Sequence, residues 1–400
     1  MFTFPLDGSG TLNHALAVAL GLTAVFTAPT VHAQNRSRAS AEPYYPSRWE
    51  WQTKRPAEVG MDSAKLQEVV AFARANEATI HKDSVDLALA VAGEPYNQIV
   101  GPTMRRGGHS GMVIRHGYIV LEWGDTRKVD WTFSATKSYL ATTIGLALDA
   151  GLIRSLNDKV VKYVHDGNFD SPHNAKITWV HLLQQNSEWQ GTLWGKPDWA
   201  DRYNADSGRR PVLEPGSRYT YNDVRVNLAA LAALHVLRRP LPEVLRERIM
   251  DPIEASTTWR WHGYENSWVD LDGERMQSVS GGGHWGGGLW ISARDHARYG
   301  VLHLRDGVWK GRRLLSSDWI KQATTSSPTF ASYGYMWWLN RGPRRISTAA
   351  PEAAFYAAGG GGNYVWVDRE NDLVVVTRWI PNLTGIIDRV MASFEAPTTR

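Results

Sequence analysis

The sequence of 400 residues contains no cysteine. This absence excludes disulfide bonds, a thiolate nucleophile and every zinc site that needs cysteine ligands. It does not indicate a compartment, because exported bacterial proteins often lack disulfides. The motif His-Glu-x-x-His is absent too, and the histidines and carboxylates form no dense cluster along the chain. We therefore expect neither a metal nor an organic cofactor.

Excess charge of one sign is also missing. The 44 Lys and Arg residues nearly balance the 40 Asp and Glu residues, which leaves a net charge of +4. The basic residues are scattered singly or in pairs, such as Arg105 with Arg106 and Arg344 with Arg345. A nucleic-acid-binding surface needs a clustered basic face, so we expect no nucleic-acid partner.

The apolar run from Ala15 to Phe26 is too short to span a bilayer. The letters VHA that follow it resemble a small-residue cleavage site, so we expect a signal peptide at residues 1–33. Export to the periplasm or the medium, without a stable membrane anchor after cleavage, would follow. The start of the chain has His14 but no Lys or Arg, and a cytoplasmic protein with a disordered arm is the alternative. The polar residues 34–55 predict a linker.

Hydrophobic periodicity places helices and strands in separate parts of the chain. A cap followed by apolar residues at helical spacing predicts a helix at Ser63 to Asn76, and two β-rich runs around His116 predict a hairpin. From Ser134 to about Leu237 the pattern is mostly helical. From Gly286 onward, short β-rich runs between turn residues indicate an antiparallel sheet.

These elements predict an α/β (α+β) fold in which a mainly antiparallel sheet is flanked by helices. The simplest arrangement builds a sheet subdomain from both ends of the chain, residues 56–133 and 285–395. A mainly helical subdomain, residues 134–284, would be inserted between them, and residues 396–400 would be a tail.

The stretch "DWTFSATKSYLATTIGLALDAGLI" places Ser134 three residues before Lys137. On a helix these side chains share a face, so the amine lies beside the hydroxyl. A serine becomes nucleophilic when a base is beside it, and the N–H of Ser134 at a helix start can stabilise an oxyanion. A Ser-x-x-Lys match is expected by chance about once in a chain of this composition. The alternative interpretation is that Ser134 only caps the helix. The buried lysine favours a catalytic pair.

A second candidate is Tyr221, which follows a Pro-Gly turn and precedes Asn222, Asp223 and a buried helix. A tyrosine near a lysine can exchange a proton with the serine or the leaving group. An aromatic core residue at a helix start is the alternative. Tyr264 also has an asparagine two residues later, but it lacks the turn and the helix.

Four glycines, Gly359 to Gly362, interrupt a β-hairpin near the end of the chain. Glycine in a strand marks a close approach of the backbone to another group. Such a strand can supply the second oxyanion N–H and an edge for an acyl chain. A flexible loop is the alternative, whereas a phosphate cradle is excluded because no Lys-Ser/Thr pair follows.

Other features indicate no competing chemistry. The hydrolase motif Gly-x-Ser-x-Gly is absent, since Met112 stands where its second glycine would be. The tract "SGGGHWGGGLWISARDHARYG" predicts a mobile loop that enters a helix capped near Ser292, and His284 within it is expected to be structural. The 19 tryptophans would suit an apolar acyl group if they lined a cleft, but most are expected to be packing residues.

The order Ser-x-x-Lys, tyrosine after a Pro-Gly turn, and glycine-rich terminal strand resembles the serine β-lactamase and penicillin-binding superfamily. The segments "VGMDSAKL", "MVIRHGYIVLEWG" and "YVWVDRENDLVVVT" resemble its class C branch, with the family VIII-type esterases, D-Ala-D-Ala carboxypeptidases and 6-aminohexanoate-dimer hydrolases. The resemblance covers roughly Pro56 to Thr377. It implies a β-lactamase/transpeptidase-like fold with an inserted all-helical subdomain and a cleft between the two parts.

The resemblance also assigns roles. It makes Ser134 the acylated nucleophile, Lys137 its activator and Tyr221 the proton shuttle. The backbone N–H groups of Ser134 and of Gly360, or its neighbour, would form the oxyanion hole. Substrate contacts would come from the residues after the tyrosine and beside Gly360, namely Asn222, Asp223, Gly359 and Gly361.

Two departures from the family pattern bear on the substrate. The usual Tyr-Ser/Ala-Asn is Tyr221-Asn222-Asp223, so the amide that would contact a substrate is either displaced or replaced by a carboxylate. The usual Lys/His-Thr/Ser-Gly is Ala357-Ala358-Gly359, which leaves no cation for a substrate carboxylate. We expect an exported serine hydrolase (EC 3.-) that cleaves a small-molecule ester or amide through an acyl-Ser134 intermediate. The alternatives are a cell-wall D,D-peptidase or β-lactamase, and a non-catalytic binder of peptidoglycan peptide. No sequence feature indicates an oligomeric state.

Overall fold

The computed structural model describes residues 43–79, 91–201 and 211–395. They lie in one unit, Pro43–Arg400, so the predicted boundaries between a sheet and a helical subdomain stay a prediction. The predicted signal peptide and the tail 396–400 lie outside the described residues. Among the helices of the described ranges, none is both long and apolar enough to cross a membrane.

The described residues contain eight α-helices and fourteen β-strands. The helices are α1 Ser63–Ala75, α2 Thr136–Asp149, α3 Trp179–Leu183, α4 Asp223–Leu237, α5 Leu241–Leu245, α6 Ala293–Leu304, α7 Ser317–Ala323 and α8 Leu383–Ala392. The strands are β1 Ser110–Arg115, β2 Tyr118–Trp123, β3 Asp130–Trp131, β4 Thr192–Leu193, β5 Lys196–Pro197, β6 Arg260–Leu271, β7 Glu274–Val279, β8 Gly288–Ile291, β9 Val308–Trp309, β10 Arg312–Arg313, β11 Trp338–Leu339, β12 Phe355–Gly359, β13 Asn363–Asp368 and β14 Leu373–Arg378.

The central sheet has six strands in the order β11-β12-β13-β14-β1-β2, all paired antiparallel. Alternate residues of its inner strands face opposite layers. Val113 and Val375 pack in the cluster that contains α1 and α8 side chains, whereas Met112 and Val374 pack with the side chains of α2 and α6. Every residue of β14 is buried, because helices cover both faces of the sheet. The predicted antiparallel sheet built from both chain ends is confirmed.

Local signals placed the first elements correctly. Helix α1 begins at Ser63 because the Asp62 side chain accepts hydrogen bonds from the N–H groups of Ala64 and Lys65. The hairpin β1-β2 turns at His116 and Gly117, whose φ values of 55° and 87° fit a two-residue turn with both residues left-handed. Both predictions are confirmed.

The predicted linker is not free over its described part. Within residues 43–55, the Trp51 indole donates to the Gly117 carbonyl at 2.8 Å, and the Tyr44 ring stacks on Tyr118 with centroids 4.3 Å apart. The Lys54 N–H also donates to the Ile119 carbonyl at 2.9 Å. This part is an extended segment that packs beside β2, which the polar composition of the interval did not reveal.

A second sheet takes two of its four strands, β6 and β7, from the region predicted to be mainly helical. Its order is β3-β8-β6-β7, and the long hairpin β6-β7 occupies residues 260–279. The hairpin turns at Asp272 and Gly273, with φ values of 55° and 82°. An Asp-Gly pair between β-rich runs is a hairpin signal that the sequence offered and our prediction missed. The helical insert is therefore interrupted by this hairpin.

A buried histidine in α6 predicts sensitivity to acid. Burial lowers the pKa of His303 to about 4, and its Nδ1 contacts the Tyr299 carbonyl at 3.0 Å. The unfolded chain takes up this proton near pH 6.5, so the contribution is complete above that pH and is lost as pH falls toward 4. We expect His303 to remove about 2 kcal/mol of unfolding free energy between pH 7 and pH 5. Urea denaturation at both pH values, compared with His303→Leu, measures this; equal pH dependence in the two proteins would contradict it.

Candidate active site

Ser134 lies in the short turn between β3 and α2. The turn is a 3-10 segment, Phe133–Ala135, and α2 begins directly after it. Phe133 has a φ of 47°, an unusual conformation for a bulky residue and one that is frequent near active sites. Its ring packs against Trp131 with centroids 4.8 Å apart and against the edge of Trp379 at 6.2 Å. These contacts hold the turn that presents Ser134.

Lys137 and Ser134 form the contact that their spacing predicted. The Lys137 amine donates to the Ser134 Oγ over 2.7 Å. Lys137 lies in the first turn of α2 and is 1% exposed. The structure therefore brings the predicted nucleophile and activator together at a buried amine, while their catalytic roles stay a prediction.

Asp223 is the second partner of the lysine. Its Oδ1 lies 2.7 Å from Lys137 Nζ, and both side chains are 2% exposed. Burial alone would raise the pKa of Asp223, but the charges of Lys137 and His284 hold it below its usual value. The backbone N–H of Asp223 donates to Asp201 Oδ2 at 3.0 Å. In this arrangement the carboxylate expected to contact substrate contacts Lys137, and its role toward a substrate stays a prediction.

Asn222 caps α4 and is buried. Its Oδ1 accepts from the Arg225 N–H at 2.9 Å, and its Nδ2 donates to the Asp198 carbonyl. Its backbone N–H donates to Gln185 Oε1 at 2.7 Å, and the residue is fully buried. The Asn222 amide is therefore buried and bonded within the protein, because cap geometry turns this side chain inward. It is not exposed for the substrate contact that the sequence predicted.

The aromatic ring of Tyr221 packs against the Lys137 amine. Lys137 Nζ lies 4.6 Å from the centroid of the Tyr221 ring, a cation–π distance. The same ring stacks on Trp338 with centroids 6.0 Å apart and lies 6.5 Å from Tyr333. The Tyr221 ring is thus beside the Lys137 amine, and its role as a proton shuttle stays a prediction. The alternative Tyr264 is buried in β6, where its hydroxyl contacts Asn227 and Ser280.

The glycine-rich strand ends against the Ser134 turn. A Cβ on Gly359 would overlap the Thr132 carbonyl oxygen and lie 3.1 Å from the Ala135 nitrogen. Gly360 follows, and a Cβ there would lie 3.6 Å from the Phe133 ring. Only glycine permits this approach at residue 359. The strand end is therefore where an oxyanion hole would need it, and the roles of Gly360 and of Gly361 as a substrate contact stay predictions.

Sequence reasoning missed Glu94 and treated His284 as structural. His284 Nε2 lies 2.8 Å and 2.9 Å from the two Glu94 carboxylate oxygens, and His284 Nδ1 lies 3.6 Å from Asp223 Oδ2. Burial would lower the pKa of His284, but Glu94 and Asp223 raise it overall. The residues of the Glu94–His284 pair are 190 positions apart, so no local pattern could have joined them.

The glycine tract around His284 closes over the ion pair. A Cβ on Gly282 would overlap Asp223 Oδ1 and crowd Lys137 Nζ. A residue with a side chain here would separate the two charged groups.

The predicted helix cap at Ser292 is confirmed, because its side chain accepts from the Asp295 N–H at 3.1 Å.

Known structures share this fold. A β-lactamase/D-alanine carboxypeptidase from Pseudomonas syringae matches with a TM-score of 0.53 and 15% identity, over 73% of this chain and 95% of the other. A family VIII carboxylesterase matches with a TM-score of 0.52 and 16% identity, over 84% of this chain and 99% of the other. The fold is therefore β-lactamase/transpeptidase-like.

Sequence comparison names the family. Residues 96–378, more than half of the chain, match the beta-lactamase family, and the protein belongs to it. An uncharacterized protein of Alkalihalophilus pseudofirmus is 22% identical over 259 residues, which cover 61% of this chain and 71% of that relative. A 6-aminohexanoate-dimer hydrolase of Paenarthrobacter ureafaciens is 28% identical over 137 residues, 31% of this chain and 32% of that relative. Family membership supports a serine hydrolase.

Proposed function

We propose that the protein hydrolyses an uncharged ester or amide through a covalent acyl-Ser134 intermediate. The observation that carries this proposal is the 2.7 Å contact between the Lys137 amine and Ser134 Oγ. Lys137 is 1% exposed, and burying a charged amine at the start of a helix costs folding free energy, which favours a functional role for this residue. A binding protein that merely retained the fold would not need this amine beside a serine hydroxyl.

The residues present support a two-step reaction. Ser134 Oγ bonds to the substrate carbonyl carbon, and the bond to the alcohol or amine leaving group breaks. Lys137 takes up the serine proton as it releases one of its own, which passes by way of Tyr221 to that leaving group. Water then cleaves the acyl–Oγ bond and returns a proton to Ser134, so an ester and water give an acid and an alcohol. N–H groups of Ser134 and Gly360 would stabilise the oxyanion in both steps.

The terminal strand favours a substrate without a carboxylate. Where the family has a cation, this chain has Ala357, which is buried, and Ala358, which is half-buried. A penicillin or a peptide with a free C-terminus would lose a charge-assisted hydrogen bond at this place. The proposal therefore ranks esters and amides above β-lactams and D-Ala-D-Ala peptides.

We expect kcat/KM for p-nitrophenyl butyrate to exceed that for nitrocefin at least about 100-fold, because a lost charge pair removes about 3 kcal/mol of binding. Steady-state hydrolysis of both by one enzyme preparation measures the ratio. Labelling by a fluorescent penicillin provides a second readout for the D,D-peptidase alternative. Nitrocefin turnover comparable to ester turnover, or stoichiometric penicillin labelling, would contradict the ranking.

Export is part of the proposal. It is supported by the apolar run Ala15 to Phe26 and the small residues before Gln34. We expect the mature protein to begin at Gln34 when the full chain is expressed in a bacterium with a periplasm. The intact mass of the periplasmic fraction measures this, and a full-length chain that stays in the cytoplasm would contradict it.

A further inference from the structure

The Ser134–Lys137 pair is the inner end of a longer row of buried polar groups. Lys137 contacts Asp223 Oδ1 at 2.7 Å. The other oxygen of this carboxylate, Oδ2, lies 3.6 Å from His284 Nδ1, a contact longer than a hydrogen bond. His284 Nε2 then contacts Glu94 at 2.8 Å. The two oxygens of Asp223 thus face two different side chains, the Lys137 amine and the His284 imidazole.

Glu94 is held in place from several sides. It is 5% exposed, and its N–H donates to the Val91 carbonyl at 2.8 Å. Tyr96 and Gln98 lie two and four residues after Glu94. Lys196 Nζ donates to the carbonyl of Tyr96, and to that of Gln98 at 2.8 Å. The amine also lies 4.9 Å from the centroid of the Trp285 ring, next to His284 in the chain. A buried lysine therefore fastens the Glu94 segment to the loop that carries the histidine.

The same segment is bound to this loop by its backbone. The N–H groups of Val100 and Gly101 both donate to the Trp285 carbonyl at 3.0 Å. The Gly287 N–H donates back to the Pro102 carbonyl at 2.8 Å. The Glu94–His284 contact is therefore fixed by two segments with several joint hydrogen bonds.

We infer that His284 is a positioning residue that, held by Glu94, fixes the Asp223 carboxylate on Lys137 and thereby fixes Lys137 on Ser134. The inference rests on the proposed acyl-Ser134 chemistry. Among the described residues, the charged groups that face His284 are Glu94, Asp223 and Asp201. Lys137 and His284 face the Asp223 carboxylate.

The charges of this row support the inference. Removal of a partner from a buried carboxylate is costly, and Asp223 faces the Lys137 amine at one oxygen and the His284 imidazole at the other. Burial lowers the pKa of Lys196, on the far side of Glu94, to about 8, so it stays mainly charged at neutral pH. Without the imidazole, Asp223 Oδ2 would lose its partner and the carboxylate could turn away from Lys137. The amine would then lose its fixed direction toward Ser134 Oγ.

Two substitutions of His284 separate its two contacts. A glutamine amide reaches the position of Nε2, so His284→Gln keeps the Glu94 contact and loses the one to Asp223. An asparagine amide reaches the position of Nδ1, so His284→Asn keeps the contact to Asp223. We expect His284→Gln to lower kcat for ester hydrolysis about tenfold with KM changed less than about twofold, and His284→Asn to lower it less than about threefold.

The decisive test is a double-mutant cycle with Asp223→Asn. If His284 acts through Asp223, the tenfold loss caused by His284→Gln falls to less than about twofold in the Asp223→Asn background. A merely structural role would give the same factor in both backgrounds, and that result would overturn the inference. So would a His284→Gln enzyme with the wild-type kcat. Should His284→Gln fail to fold, Glu94→Gln replaces it in the cycle with the same expectation.

His235 supplies a matched control. Its Nε2 lies 3.4 Å from Asp166 Oδ2, and its side chain is 13% exposed, as is that of His284. We expect His235→Gln to leave kcat within about twofold of wild type, in line with substitutions away from a site. The acyl-enzyme itself is measured on wild type by mass spectrometry. Absence of any Ser134 adduct would contradict the proposed function, whereas an adduct with additive His284 effects would contradict only this inference.

Discussion

Replacing Ser134 with alanine is expected to lower kcat/KM for ester hydrolysis by about 10⁴-fold or more, because removal of a catalytic nucleophile has effects of this size. The Lys137 amine is directed at Ser134 Oγ over 2.7 Å, and alanine removes this hydroxyl. Steady-state kinetics with p-nitrophenyl butyrate measure the loss.

The fold should survive this change. Ser134 Oγ accepts one hydrogen bond from Lys137, and the Lys137–Asp223 ion pair remains without it. Thermal unfolding of Ser134→Ala should therefore match wild type within a few degrees. A folded Ser134→Ala enzyme that retains more than about a hundredth of the wild-type kcat/KM would contradict the assignment of the nucleophile.

Replacing Lys137 with methionine is expected to lower kcat by about 10³-fold, the size of a lost general acid–base step. Methionine fills a similar space but carries no amine to contact Ser134 Oγ. It also leaves Asp223 as a buried carboxylate without its 2.7 Å partner. Breaking such a pair costs about 3–5 kcal/mol of unfolding free energy. Kinetics and urea denaturation of the same preparation separate the two effects.

A double variant provides the control for stability. Asp223→Asn added to Lys137→Met removes the unpaired carboxylate and should recover most of the lost unfolding free energy. It should not recover activity, because no amine faces Ser134. If the double variant hydrolysed the ester within tenfold of wild type, the loss in Lys137→Met would be structural and the role of Lys137 would be wrong.

The parts of the site that the sequence predicted depend on short separations. Ser134 and Lys137 are one helical turn apart, so their contact follows from helix geometry alone. Tyr221 was found by the Pro-Gly turn before it and the helix after it. The directions of the Asn222 and Asp223 side chains were not predictable in this way. Asn222 turns inward to cap a helix and Asp223 forms the ion pair with Lys137, and adjacent positions in the sequence do not show which of the two contacts the lysine.

Contacts between distant segments were beyond a single sequence. Asp223 meets Lys137 across 86 positions, and Glu94 meets His284 across 190. The same limit applied to the fold. Local caps and turns predicted α1 and β1-β2, while the packing of residues 43–55 beside β2 depends on partners that the interval does not contain. The hairpin β6-β7 is different, because its Asp272-Gly273 turn was visible in the sequence.

The most direct test of the proposed function is the intact mass of the folded protein after incubation with a fluorophosphonate probe. We expect one adduct per chain, mapped by proteolysis to the peptide that contains Ser134 and absent from Ser134→Ala. A folded protein that forms no adduct, or forms it at another residue, would contradict a nucleophilic Ser134.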